Sequence, residues 1–202
     1  DIKYLKRKNT YIKAGFTEAQ MNEKPARLAA LQSLISRLSG RKDEEIPKEK
    51  GVCIPNAFIR DDGAKHIEKI TFRYVNDDLS FGLYTNNEFM GSDDTLFNRS
   101  AQINEALKTS NKYTIKKEAR SPNGIPAEMW LFGGNQTLRN EETNEDEKST
   151  FYNFILSANE RDATPEKPHL NIGLSSEYKK TRYSETQMIE IWDRLVSSLR
   201  YK

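Results

Sequence analysis

The feature that most constrains this chain is a series of period-two apolar runs joined by connections often too short for a parallel crossover. Ile70, Phe72 and Tyr74 alternate with Thr71 and Arg73, the turn cluster Asn76-Asp77-Asp78 follows, and Leu79, Phe81 and Leu83 resume the alternation. That spacing predicts a hairpin. Val52 to Ile59 reads as a short apolar strand broken by Pro55. Further strands are expected at Tyr113–Glu118, Ala127–Phe132 and Phe151–Leu156, and through Leu170, Ile172 and Leu174. Ser121-Pro122-Asn123-Gly124 and a charged loop holding Pro165 and Pro168 punctuate them. Strands linked this way must run antiparallel.

Three helices break the alternation. Good helix formers run from about Glu18 to Leu38, with Leu28, Leu31, Ile35 and Leu38 on one face and Gly40 as the stop. Asp94 offers an N-cap for a helix from about Thr95 to Lys108. The clearest helix is the last, where Ser184 and Gln187 make a capping box ahead of the stripe Met188, Ile191, Trp192, Leu195, Leu199. The expected fold is α+β, a mainly antiparallel sheet with helices packed on one face, plus an N-terminal helix. Trp192 falls on the apolar stripe and belongs to the core, whereas Trp130, opposite Met129 and Leu131 in the alternation, suits either core or surface. The opening stretch to Gly15 is basic and reads as a frayed or edge segment. Arg41 to Gly51, charged and holding Pro47, reads as a linker, which suggests an N-terminal segment over residues 1–44 and a main domain over 45–202.

Composition excludes several functions. With 32 Lys and Arg against 30 Asp and Glu, the net charge of +2 gives no case for nucleic acid or an anionic membrane surface. No apolar run approaches the roughly 20 residues of a membrane-spanning helix, and the mean hydropathy is −0.83. The one cysteine, Cys53, has no internal partner, which favours a reducing compartment unless a partner cysteine lies upstream.

The catalytic inventory is poor. Gly173-Leu174-Ser175-Ser176-Glu177 places a serine as a nucleophile elbow would, but Glu177 stands where the second glycine belongs, so the string reads as a strand running into a polar turn. His66 and His169 lie far apart without a paired ligand motif, and Cys53 between Val52 and Ile54 reads as a small hydrophobe. Asp61-Asp62-Gly63 and Asn76-Asp77-Asp78 are turns without calcium-loop spacing, and no phosphate-binding glycine loop is present. Glu128 beside Trp130 reads as a sheet-face ion pair and not as a lone acid catalyst. No catalytic residue, metal or cofactor is expected.

Landmarks read in order carry a different signal. Glu45-Ile46-Pro47, Gly51-Val52-Cys53-Ile54-Pro55-Asn56-Ala57-Phe58-Ile59, Leu83-Tyr84-Thr85-Asn86-Asn87 and Gly124-Ile125-Pro126-Ala127-Glu128 come first. Pro168-His169-Leu170-Asn171-Ile172-Gly173-Leu174, Trp192-Asp193 and Ser198-Leu199-Arg200 follow. From about Glu45 onward this pattern resembles the C-terminal domain of the immunity proteins that protect bacteria from type VI secretion lipase effectors. The resemblance implies a non-enzymatic protein of the Gram-negative periplasm that binds a cognate phospholipase toxin and blocks it at its active-site entrance or lid. It also implies an export signal and a preceding N-terminal segment with its own cysteine, both expected before Asp1, with residues 1–44 the remnant of an N-terminal domain.

Two surfaces are candidates for the toxin contact. Between Arg139 and Lys148 the acids Glu141, Glu142, Glu145, Asp146 and Glu147 make a solvated loop or hairpin tip suited to charge-steered capture. Tyr84 with Asn86 and Asn87 ends a strand whose alternate residues are Phe81 and Leu83. The competing reading from another class is an envelope domain that binds a lipid or small ligand, or acts as an adaptor, without catalysis.

Overall fold

The computed structural model describes residues 2–7, 10–15, 23–64, 67–140 and 142–200, the first two segments as backbone. The chain forms two compact units, residues 1–66 and 67–201.

In the first unit, β1 (Ile2–Arg7) and β2 (Thr10–Gly15) pair antiparallel, with Tyr4 opposite Lys13 and Leu5 opposite Ile12. The opening segment is therefore a hairpin. The strand propensity of Ile2, Tyr4, Tyr11 and Ile12 outweighs the charge of the segment. Helix α1 (Lys24–Arg37) has Pro25 in its first turn, where the missing N–H costs nothing, and hands over directly to β3 (Leu38–Gly40). Leu38, expected as the last residue of the helical stripe, is instead the buried first residue of this strand. β3 pairs with β5 (Ala57–Arg60), which pairs with β4 (Gly51–Ile54) across the turn at Pro55-Asn56. The charged segment between β3 and β4 is folded around Arg41. Its guanidinium donates to the carbonyls of Lys42, Asp43 and Glu45 at 2.7–2.8 Å and to that of Ala57 at 3.1 Å.

The second unit is a six-stranded sheet in the order β6-β7-β11-β10-β9-β8, every pair antiparallel. Its strands are β6 (Lys69–Val75), β7 (Ser80–Asn86), β8 (Lys112–Arg120), β9 (Ala127–Arg139), β10 (Asp146–Ala158) and β11 (His169–Ser175). Helix α2 (Ser100–Thr109) lies between β7 and β8, and α3 (Glu185–Ser197) follows β11. The α+β class and antiparallel sheet stand as expected. Among the described residues, no helix is long and apolar enough to cross a membrane.

Register sorts the side chains. Directly opposite residues share a face, so Met129, Leu131, Phe154, Leu156, Ile172 and Leu174 line one side of the sheet. Helix α3 closes that side with Met188, Trp192 and Val196. Trp192 is fully buried and meets Phe154 edge to face, with ring centroids 5.9 Å apart. The capping box forms, Ser184 N–H donating to Gln187 at 2.9 Å and Gln187 N–H to Ser184 at 3.3 Å. On the other side, Trp130 and Phe132 of β9 bury against Leu96 and Leu107, with Ile103 of α2 packed on the cluster. The helices thus divide between the two faces. Trp130 is core, its indole N–H donating to Thr114 Oγ at 3.0 Å.

Removing the Trp192 side chain empties the centre of the larger core. Trp192→Ala is expected to cost about 3–5 kcal/mol, read as a lower denaturant midpoint at unchanged slope. Ser184→Ala is expected to cost about 1 kcal/mol through loss of the cap.

Candidate functional site

The side of the sheet that carries Trp130 is covered by α2 only over β8 to β10. Over β6, β7 and β11 it presents Thr71, Arg73, Ser80, Gly82, Tyr84, Asn171, Gly173 and Ser175, all exposed or half-buried. Gly82 and Gly173 face each other in register, and a Cβ on either would find nothing nearer than a backbone oxygen at 3.9 Å. Packing does not demand glycine there; the pair leaves the middle of this polar face without side chains.

Tyr84 stands on this face beside a small polar cluster. The His169 ring lies 6.5 Å from Tyr84, edge on, and 5.0 Å from Phe89. Its Nε2 is 3.4 Å from Ser157 Oγ, which also accepts from the Asn171 amide at 3.2 Å. Burial lowers the His169 pKa from its ordinary 6.5, with Arg99 adding to the effect and Glu160 opposing it. The serine is itself buried and shared with Asn171, so the contact orients the strand end. Asn86 accepts from Glu88 N–H at 3.0 Å and Asn87 from Glu68 N–H at 2.7 Å, which fixes the turn beyond β7.

A cavity of about 490 Å³ opens near the same end of the sheet, lined in part by Thr95, Glu128, Ser157, Glu160 and Arg161. Its two glutamates are already engaged. Glu128 accepts from Phe97 N–H at 2.7 Å and from Thr95 Oγ at 3.4 Å, while Glu160 accepts from Leu96 N–H at 2.7 Å and from Arg99 at 3.1 Å. These carboxylates supply the acceptors expected of Asp94, and regular helix begins only at Ser100. Glu128 is thus not the expected sheet-face ion pair but an acceptor for the segment leading into α2. Gly91 locks the neighbouring loop. Its φ of +92° and a would-be Cβ 2.0 Å from Arg161 O leave room for no side chain.

The acidic candidates lie at the opposite end of the sheet from Asn86 and Asn87. Glu141 and the histidine His66 fall outside the described residues. β9 and β10 each run 13 residues, so of the expected loop or hairpin tip the hairpin forms, and Glu142 and Glu145 sit exposed in its short turn. Asp146 pairs with Arg139 at 3.0 Å. Glu147 accepts from Asn140 at 2.7 Å and from Lys180, and the Lys180 and Asn140 hydrogen bonds hold its carboxyl below the usual range. Cys53, half-buried in β4, belongs to the first unit, whereas Glu128 and His169 belong to the second. Among the described residues no group of three or more His, Cys, Asp or Glu is placed to hold a metal ion.

Residues 45–202 match the family model of the Tle cognate immunity protein 4 C-terminal domain. No curated protein matches the chain. Among solved structures it is similar to a chain of the Tle4–Tli4 complex, at 20% identity and a TM-score of 0.67, over 98% of this chain and 67% of that one. It is also similar to the immunity protein TplEi of the type VI secretion system of Pseudomonas aeruginosa. With an "L" peptide bound, that protein gives 20% identity and a TM-score of 0.64, over 98% of this chain and 70% of that one. In the apo form it gives 19%, 0.68, 98% and 66%. The chain thus spans about two thirds of the proteins whose fold it shares.

Depressed basicity at His169 has a measurable consequence. The unfolded chain takes up that proton at higher pH than the folded protein, so stability falls as pH drops through 6.5 toward the folded value. Unfolding free energies at about pH 7.5 and 6 should show this loss in the wild type and a smaller one in His169→Gln. Glu128→Ala is expected to cost about 1–3 kcal/mol by stranding the Phe97 N–H, with Glu128→Gln milder.

Proposed function

The chain belongs to the Tle cognate immunity protein 4 family through its C-terminal domain, and on that premise we propose that it is an immunity protein that binds a type VI secretion lipase effector and blocks it. The observation that carries this reading is the family match over residues 45–202, joined to a fold shared along 98% of the chain with a component of the Tle4–Tli4 complex. Residues 45–202 are the immunity domain, and residues 1–44 are an N-terminal segment whose β3 pairs with β5 in the first unit. The protein works in the bacterial periplasm, without catalysis, by covering the effector's active-site entrance or holding its lid.

The chemistry of the surface supports a binder. Glu128 and Glu160 of the cavity are spent on the backbone ahead of α2, and Ser157 is buried and shared with Asn171. Blocking an enzyme requires an interface of roughly 1,600 Å² in total, with a few buried anchors inside a polar rim. The hairpin tip with Glu141, Glu142, Glu145, Asp146 and Glu147 is one contact region, and Tyr84 with Asn86 and Asn87 the other. Exposed acids at a tip accelerate encounter with a basic surface and add less to the final affinity.

Titrating the protein into its cognate effector while following lipid hydrolysis tests the reading. Loss of activity near one equivalent, with calorimetric Kd in the nanomolar range, is expected; a folded protein that neither binds nor inhibits overturns it. Alanine at Glu142, Glu145 and Asp146 together should slow association several-fold at low salt, with the difference shrinking at high salt and the melting temperature unchanged. Association at the wild-type rate would remove the tip from the interface.

A further inference from the structure

Among the described residues, six non-glycine residues adopt positive φ, and five of them are asparagines: Asn56, Asn111, Asn123, Asn144 and Asn159. Asparagine tolerates this conformation because its short polar side chain bonds locally. The sixth is Tyr178, at φ +63°. A bulky aromatic side chain is a poor choice there on steric grounds. It occupies the third position of a turn closed by Lys179 N–H to Ser176 O at 3.1 Å, the position where positive φ calls for glycine or asparagine.

Nothing in the fold uses the ring, since Tyr178 is 83% exposed. The backbone beneath it is nevertheless held on both sides. Tyr178 N–H donates to Gln136 Oε1 at 2.7 Å, and Gln136 Nε2 donates to Lys179 O at 2.9 Å, so one amide of β9 clamps the turn. Ser176, the first residue of the turn, is fully buried and exchanges hydrogen bonds with the Tyr152 backbone at 2.9 Å in each direction. A strained position, clamped from below, displays an aromatic ring to solvent. Strain kept at a site that the fold does not need points to function.

The surroundings define what the ring meets. Lys180 pairs with Glu147 and Arg182 with Asp78, but the cations stand 72% and 76% exposed while their acids are 35% and 12% exposed. An approaching surface therefore meets the basic ends of both pairs. We propose that Tyr178 is the aromatic anchor of the effector contact at this end of the sheet, seated in an apolar pocket on the effector whose acidic rim meets Lys180 and Arg182. Tyrosine suits this part, having a large rigid face and few rotamers to freeze. The Lys180–Glu147 bond joins the anchor to the acidic hairpin tip, so the two form one region of alternating charge that fixes the register of a partner.

This inference rests on the functional reading above, and Tyr178→Asn separates the two. The variant places at this turn the residue the chain uses at its other left-handed positions. It should melt at the wild-type temperature or up to about 3 °C higher. It should bind the cognate effector at least 10-fold more weakly, chiefly through faster dissociation in surface plasmon resonance. Tyr178→Phe, which keeps the ring, should stay within about threefold of wild type, and reversing Lys180 and Arg182 to glutamate should weaken binding further at low salt than at high salt. Wild-type affinity in a folded Tyr178→Asn variant overturns the anchor while leaving the functional reading intact. A wild-type protein that does not bind its effector overturns both.

Discussion

The pairing of β9 with β10 is the interaction on which the second unit depends. Thirteen residues of each strand lie in unbroken register from Asp146–Arg139 to Ala158–Ala127. Because side chains alternate, that one ladder fixes both cores: Met129, Leu131, Phe154 and Leu156 point to α3, and Trp130, Phe132 and Ile155 to α2. A register slip of one residue would exchange the two sets and place Glu128 and Ser157 in the apolar core. Two consecutive glycines in β9 serve the same ladder. A Cβ on Gly133 would lie 2.7 Å from the Tyr113 hydroxyl and one on Gly134 2.8 Å from the Phe151 ring, so aromatic side chains lie close against strand backbone there.

What the sequence made legible follows from which forces act locally. The hairpin β6–β7, the capping box and stripe of α3, and the order of two strands, a helix, four strands and a helix in the second unit were all readable, because periodicity, caps and turn residues report on neighbours in sequence. The length of β9 and β10 was not. Asn135 to Thr150 is polar apart from Leu138, yet most of it is strand, since a hairpin that projects beyond its core is held by backbone pairing and needs few apolar side chains. Nor was the start of α2 readable. Asp94 satisfies every local rule for a cap, but Glu128 and Glu160, 31 and 64 residues away from the N–H groups they accept, do that work.

The candidate contact residues show the same division. Tyr84, Asn86, Asn87 and the tip acids were visible as exposed polar and aromatic residues beside turns, but sequence gave no sign that the two groups lie at opposite ends of the sheet. The topology separates them, because β7 ends against the start of β11 while the hairpin tip extends from the other end of the same ladder. Tyr178 is illegible in the sequence for a different reason. A tyrosine in a polar turn carries no signal in composition or period, and its meaning depends on a backbone angle. Its one local mark is the cluster Ser175-Ser176-Glu177 ahead of it, a turn without glycine or asparagine.

A protein that must hold an enzyme inactive gains from rigid presentation, because each side chain already fixed before contact is one less to order on binding. This fold supplies rigidity unevenly. The Asn86–Asn87 turn and the Tyr178 turn are each clamped by side-chain amides that reach backbone groups, and each projects from a strand whose other face is core. The hairpin tip beyond Arg139 is closed by backbone bonds, Asn140 N–H to Glu145 O at 2.8 Å and Asn144 N–H to Asn140 O at 2.9 Å, and its side chains add Arg139 to Asp146 and Asn140 to Glu147. Such bonds between exposed groups contribute little stability each. In the proposed contact, charge sits on the hairpin tip, where it acts at a distance and needs no fixed geometry, and aromatic contact area on the clamped turns, where geometry decides affinity.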